Sequence, residues 1–289
     1  MTADAAKHVK ESDIDDCEVV IWIVDNGSRD GSVETLDKVF PGVKVISSAR
    51  NLGFAGGNNL ALARILPAIA PEDRERAYVL LLNSDVQVHP DAIRQCLDFL
   101  DDHPQAGVVG PKVLLPNGDL DLACRRGFPT LTNSLWKLTG LSKRFPGNRR
   151  VAGYNLTYLP DDETYEVDAV GGAFMLLRVA AIDDAGVLDE RFFMYGEDLD
   201  WAYRIKAAGW KVFYFPEASV LHLKSASARR QSRKMILEFY RAMWLFHAKH
   251  YAPRTIFVVN WLVMIAIVAR GVIALVVNSF RTAENKRFT

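Results

Sequence analysis

Over the first three-quarters of the chain, short apolar runs alternate with stretches of helical spacing. Val19–Val24 reads as a strand closing on Asp25, Gly31–Phe40 as a helix and Val43–Ile46 as a short strand. Leucine, isoleucine and alanine recur at three- and four-residue spacing over Gly57–Ile69, predicting a helix that Pro67 ends or kinks. Tyr78–Leu82 is continuously apolar, as a strand buried on both faces must be. Pro90–Leu100 reads as a helix with proline in its first turn. This alternation predicts an α/β fold with a mostly parallel sheet flanked by helices.

The texture changes after Gly110. Pro116–Gly153 is irregular, punctuated by Pro116-Asn117-Gly118, Phe128-Pro129 and Phe145-Pro146-Gly147. An apolar run over Val167–Arg178 contains Gly171-Gly172; a helix over Glu197–Ala208 and a strand over Lys211–Phe215 follow. In Ser225–His250 the residues Met235, Ile236, Phe239, Tyr240, Met243, Trp244 and His247 form one helical stripe. Lys224, Arg229, Arg230, Arg233 and Lys234 precede the stripe, with no acid until Glu238. Such a segment suits anionic headgroups or a lipid phosphate, although a solvated basic face on a packed helix also accounts for it. Ile256–Val277 is almost wholly apolar, interrupted by Asn260, Arg270 and Gly271, and is long enough to cross a bilayer. A core or dimer helix is the other reading. The chain thus divides into a domain over residues 1–224 and a membrane-associated helical segment over 225–289.

Composition narrows the classes. With 35 Lys and Arg against 35 Asp and Glu in 289 residues, no global charge favours nucleic acid. Cys17, Cys96 and Cys124 are odd in number and widely spaced, which excludes a disulfide framework or a paired-cysteine zinc site and fits a reducing compartment. Met1–Asp16 carries no apolar core of a secretory signal. The sequons at Asn26 and Asn155 are therefore read as chance matches.

Four clusters carry candidate chemistry, each at or just beyond the end of an expected strand, the edge where open α/β sheets bind ligands. In Val24-Asp25-Asn26-Gly27-Ser28, the acid can accept hydrogen bonds from a base or ribose; ordinary turn chemistry accounts for it equally. In Asn51-Leu52-Gly53-Phe54-Ala55-Gly56-Gly57-Asn58, glycines permit close backbone approach, as they would in a plain turn opening a helix. In Asn83-Ser84-Asp85, the acid can hold a hard divalent cation on a diphosphate, with a helix N-cap as the alternative. In Glu197-Asp198-Leu199-Asp200, a carboxylate can act as general base on a hydroxyl, while acids at a helix start also suit its dipole. His222 is a candidate further metal ligand.

Taken together in this order, with Asp30-Gly31-Ser32, Gly171-Gly172-Ala173-Phe174-Met175 and the rest, the clusters resemble the family 2 inverting glycosyltransferases of the GT-A (Rossmann-like) fold, from about Cys17 to Ser227. The rhamnosyltransferase-like branch, which builds cell-envelope polysaccharide on lipid-linked intermediates, is the most similar. The resemblance implies a nucleotide-diphosphate sugar donor, such as dTDP-rhamnose, a lipid-linked or glycan acceptor, and Mg²⁺ or Mn²⁺. It implies a location on the cytoplasmic face of the inner or plasma membrane. By position, Asp25 would contact the base, and Asn26, Asn51, Gly53, Asn58 and Asn83 would line the donor pocket. Gly171 and Gly172 would let backbone approach the sugar or acceptor. Asp85 and His222 would bind the metal, Asn83 replacing the first acid of a DXD-like motif. Asp198 would be the general base, with Glu197 and Asp200 supporting it or holding the acceptor. The family's opening strand has no counterpart in Met1–Asp16, which implies either a chain that starts downstream of the true beginning or a catalytically impaired binding relative. A nucleotidyltransferase would share the sheet and metal chemistry but needs a glycine-rich loop with a basic residue, which is lacking.

Overall fold

The computed structural model describes residues 2–12, 14, 17–28, 42–224 and 233–280. The helix expected over Gly31–Phe40, the Asp30-Gly31-Ser32 motif, Arg229 and Arg230 lie outside the described residues.

The chain opens with helix α1 (Thr2–Lys10), followed by strands β1 (Trp22–Asp25) and β2 (Lys44–Ser47). Helix α2 (Gly53–Ala68) starts four residues earlier than its apolar spacing shows and stops just after Pro67. Then come β3 (Tyr78–Leu82), β4 (Val86–Val88), α3 (Ala92–Asp102) and the long β5 (Ala106–Leu114). The expected irregular stretch contains α4 (Leu131–Leu138) and the short turn α5 (Leu141–Arg144). Strands β6 (Tyr165–Val167) and β7 (Phe174–Arg178) flank the Gly171-Gly172 break. Helices α6 (Val179–Ala185) and α7 (Glu197–Ala207), strand β8 (Lys211–His222), and helices α8 (Arg233–His250) and α9 (Phe257–Phe280) complete the described order.

Among the described residues, six strands form one sheet in the order β3-β7-β5-β8-β4, with β6 also on β8. The expected mostly parallel sheet is corrected to a mixed one. β5 and β8 run parallel, whereas β3–β7, β5–β7, β4–β8 and β6–β8 are antiparallel. The chain turns back around Gly171-Gly172 and lays Phe174–Arg178 between β3 and β5. All five residues of β7 are buried. Apolar continuity reports burial on both faces and says nothing of direction, so the reversal leaves no trace in the pattern. β1 and β2 pair in parallel as a separate two-stranded ribbon, Asp25 opposite Ser47.

β8 is longer than its apolar run predicts. Its register against β5 shifts between the Phe215 and Ser219 pairs, so Pro216 sits in an irregularity that spares the ladder. The extension sets His222 opposite Val86 on β4. One large core joins the sheet to α3, α6 and α7, with Trp201 fully buried and its indole N–H donating to the Gly186 carbonyl at 2.7 Å. Helix α8 adds Ala242 and Phe246 to that same core.

α9 is 24 residues long, about 36 Å at 1.5 Å per residue, which exceeds the ~30 Å apolar thickness of a bilayer. It is mostly exposed: Phe257, Trp261, Leu262, Ile265 and Phe280 all face outward. It folds back on α8, where Gly271 meets the Tyr240 ring and His247 Nε2 lies 2.8 Å from Asn260 Oδ1.

Candidate active site

Of the expected site residues, Asn83, Gly172 and Asp198 meet where the end of β3, the Gly171-Gly172 turn and the start of α7 come together. Leu82 pairs with Phe174, and the Asn83 N–H donates to the Ala173 carbonyl at 2.9 Å. One residue away, the Gly172 N–H points at Asp198 Oδ2 at 3.3 Å. The strand-end acid and the helix-start acid are thus linked through Ser84, Asn83, Ala173 and Gly172. Gly172 lies close against the Phe54 ring: a Cβ would stand 3.1 Å from it.

Gly53 has φ +77°, and a Cβ there would lie 2.1 Å from the Phe193 carbonyl oxygen. That contact, with the Phe54 N–H donating to the same carbonyl at 2.8 Å, presses the α2 loop onto the aromatic loop before α7. Asn26 ties the ribbon to this junction: its amide donates to the Gly53 carbonyl at 2.7 Å and its oxygen accepts from Leu52 N–H at 2.8 Å. Asn51 Oδ1 accepts from the Gly53 N–H, and the Asn58 amide donates to the Phe54 carbonyl. The side chains of Asn26, Asn51 and Asn58 are thus engaged in holding the loop. Asp25 is half-buried beside them and accepts from Ser28 N–H at 3.1 Å.

Asp85 and His222 come together as expected, Nε2 to Oδ1 at 3.3 Å. The sequence reading missed Asp121, whose carboxylate lies 3.3 Å from His222 Nδ1 and 3.1 Å from Lys224. Burial opposes charge on His222, but hydrogen bonds to Asp121 and Asp85 override it and push its pKa up to about 9. Among the described residues no group of three His, Cys, Asp or Glu side chains is arranged to hold a metal. Asp85 and His222 would fit a divalent ion that takes its other oxygens from a diphosphate, the ion displacing the Nε2 proton shared with Asp85 while Asp121 holds the second ring nitrogen.

Asp198 is 14% exposed and paired with Arg126, Nη2 to Oδ2 at 2.5 Å. Arg126 also donates to the Val170 carbonyl at 3.0 Å. Burial works against the Arg126 charge, but the Asp198 carboxylate outweighs it and raises the pKa. Glu197 is buried with Oε2 unpartnered; burial first, then the Asp198 charge, push its pKa up. Asp200 is fully buried. Its carboxylate meets Arg204 at 2.9 Å and both Lys249 and His250 at 2.7 Å, so it fastens α7 to α8 in the interior. Burial opposes its ionisation, but the bonds from His250 and Lys249 hold the carboxyl below its ordinary range.

Arg126 is the other residue the sequence reading missed. It lies in an irregular stretch without periodicity, beside Arg125, whose guanidinium is buried against Asp161 at 2.6 Å and the Leu159 carbonyl. Two adjacent arginines in an otherwise apolar run were the available signal. Two cavities, of about 310 Å³ by Val9, Ile14 and Ile21 and about 250 Å³ by Gly127, Gly153 and Asp168, contain none of the candidate acids.

The mixed α/β sheet thus carries a strand-end aspartate beside a histidine, and a helix-start aspartate beside an arginine. The family model described as "Glycosyltransferase like family 2" matches residues 10–240, and the chain belongs to that family. The N-acetylglucosaminyl-diphospho-decaprenol L-rhamnosyltransferase of Mycobacterium tuberculosis H37Rv is 29% identical over 236 residues, covering 81% of this chain and 76% of that enzyme. Rhamnosyltransferase WbbL of Escherichia coli K12 is 26% identical over 173 residues, covering 59% and 60%. Two solved structures share the fold at TM-score 0.52 and 15% identity: GalNAc-T7 with UDP, GalNAc and Mn²⁺, and Staphylococcus aureus TarS 1–349. The alignments cover 78% and 91% of this chain, but 41% and 65% of those chains.

Proposed function

We propose that this protein is a membrane-attached, metal-dependent inverting hexosyltransferase of cell-envelope glycan synthesis, transferring a sugar such as rhamnose from a nucleotide diphosphate to a lipid-linked acceptor. The observation that carries the reading is the Asp198 carboxylate, linked to Asp85 through the Gly172 amide and held by Arg126.

In this reading Asp198 accepts the proton of the acceptor hydroxyl as its oxygen attacks the anomeric carbon in line. The bond from that carbon to the diphosphate breaks, the nucleotide diphosphate departs and configuration inverts. Asp85 and His222 hold Mg²⁺ or Mn²⁺, which when bound neutralises charge on the leaving diphosphate. Arg126 and the Gly172 N–H orient the base. Asp25 faces the nucleotide base, and the Asn26–Gly53 junction and Asn83 shape the donor pocket. The exposed α9 seats the enzyme in the membrane. The free Cys17, Cys96 and Cys124 accord with the cytoplasmic face.

The test is a panel of nucleotide sugars, with and without Mn²⁺, scored by thermal stabilisation and then by transfer. One donor is expected to raise the melting temperature only with metal, and Asp85→Ala to abolish that rise. Asp198→Asn is expected to lose transfer while keeping the rise. Full transfer by Asp198→Asn removes it from the base role.

A further inference from the structure

Next to the Asp198–Arg126 pair, the fold builds a cationic and apolar surface that no step above uses. The Arg126-Gly127 backbone is joined to Tyr154, whose carbonyl accepts the Gly127 N–H at 2.9 Å. On the face of the Tyr154 ring sits the Lys137 ammonium, 3.8 Å from the centroid. Lys137 lies in the last turn of α4, and Lys143 and Arg144 follow in α5. Among the described residues no carboxylate pairs with Lys137 or Lys143. Burial of the ammonium, then the positive charges of Arg126 and Lys143, push the Lys137 pKa down to about 8. Arg126 is matched by Asp198, whereas Lys137 and Lys143 repel each other with no carboxylate on them among the described residues, an arrangement that an anion relieves.

The same hairpin exposes apolar side chains. Leu131 and Leu135, one turn apart on α4, are 41% and 51% exposed, and Phe145 after α5 is 49% exposed. Its base is fixed: Thr130 caps α4 by accepting from Asn133 N–H, and the Phe128 ring packs on Tyr203 at 4.9 Å and lies 6.3 Å from Phe246 of α8. The surface therefore stands beside the α8–α9 hairpin and beside the base. An amphiphile with an anionic head fits both halves of it.

We infer that the α4–α5 hairpin is the acceptor site for an isoprenoid diphosphate, with Lys137 and Lys143 binding the diphosphate and Leu131, Leu135 and Phe145 the first part of the hydrocarbon chain. This rests on the proposed lipid-linked acceptor and assigns its place. The acceptor sugar then lies between the diphosphate and Asp198, with Arg126 joining the two.

The test is calorimetric titration of the full-length protein in uncharged detergent with EDTA, so that no metal draws a diphosphate to Asp85. The probes are farnesyl diphosphate, farnesol and inorganic diphosphate. Farnesyl diphosphate is expected to bind roughly tenfold or more tightly than either fragment, and Lys137→Ala/Lys143→Ala to lose about as much. Lys137→Arg/Lys143→Arg is expected to retain binding, and Leu135→Ser to weaken farnesyl diphosphate but not inorganic diphosphate. Unchanged binding by the double alanine variant, or equal binding of inorganic diphosphate by the native protein, overturns the inference. So does a native protein that prefers phosphatidylglycerol-containing vesicles and ignores farnesyl diphosphate, since that marks a general membrane contact. Failure to find a sugar donor would strike the proposed function and leave the titration standing. Transfer with an unaltered acceptor KM in the double alanine variant would strike this site alone.

Discussion

The pairing of Arg126 with Asp198 can be measured as a coupling energy. Both side chains are nearly buried, at 10% and 14% exposure. Arg126→Leu removes the guanidinium and leaves the carboxylate with the Gly172 amide at 3.3 Å and the Leu199 amide at 2.8 Å. Breaking a buried pair from one side costs about 3–5 kcal/mol, and the two remaining amides place this case near the lower figure. At about 2–4 °C per kcal/mol for a chain of this size, the melting temperature should fall by about 6–12 °C. Asp198→Asn should also destabilise, because Arg126 then stays buried with the Val170 carbonyl and the Tyr154 side chain as partners and no carboxylate. In Arg126→Leu/Asp198→Asn neither charge is left stranded, so the double variant should be more stable than the two single losses summed, by about 2 kcal/mol. Thermal and urea unfolding of the four proteins in one detergent gives the cycle. Strict additivity would refute the argument, because it would mean that the two charges do not depend on each other in the folded protein.

Two further outcomes follow from the same geometry. Burial and the Asp198 charge raise the Glu197 pKa in the folded state above its ordinary 4.5, so its favourable contribution is fully present below that pH and is lost as pH rises through the raised value. Glu197→Gln should flatten the fall of melting temperature over that rise; a variant with the native profile contradicts the burial argument. Gly53→Ala should cost more than the ~1–2 kcal/mol of a left-handed alanine, since the added methyl meets the Phe193 carbonyl, and should weaken donor binding with it. Native stability and donor affinity in that variant would show that the two loops are not pressed together.

The legible parts of this protein were those governed by periodicity and by acids at element ends. Tyr78–Leu82 matches its strand to the residue, and Asp85 and Asp198 could be singled out as acids after an apolar strand and at a helix start, although capping and the helix dipole favour acids there too. Strand direction was not legible, because β7 carries the same apolar run whichever way it is laid. The length of β8 was hidden by Pro216, whose cost the register shift removes. Arg126 and Asp121 escaped because their partners are 72 and 101 residues away, and loop sequence carries no period that points to a distant carboxylate or imidazole. The Asn26, Asn51 and Asn58 side chains have a second role that their types did not announce: each bonds the loop's own backbone, through the amide of Asn26 and Asn58 and the oxygen of Asn51.

The knot of charges at Asp200 decides how this chain can be shortened for study. Lys249 and His250, at the very end of α8, neutralise an acid that has no access to water, and Lys249 also grips Asp189 at 2.7 Å. A soluble version ending after Tyr251 sheds the greasy α9 and keeps every ion of the knot. One ending near Lys224 removes Lys249 and His250 and leaves that buried carboxylate with Arg204 in place of three cationic partners, two positions along the helix from Asp198.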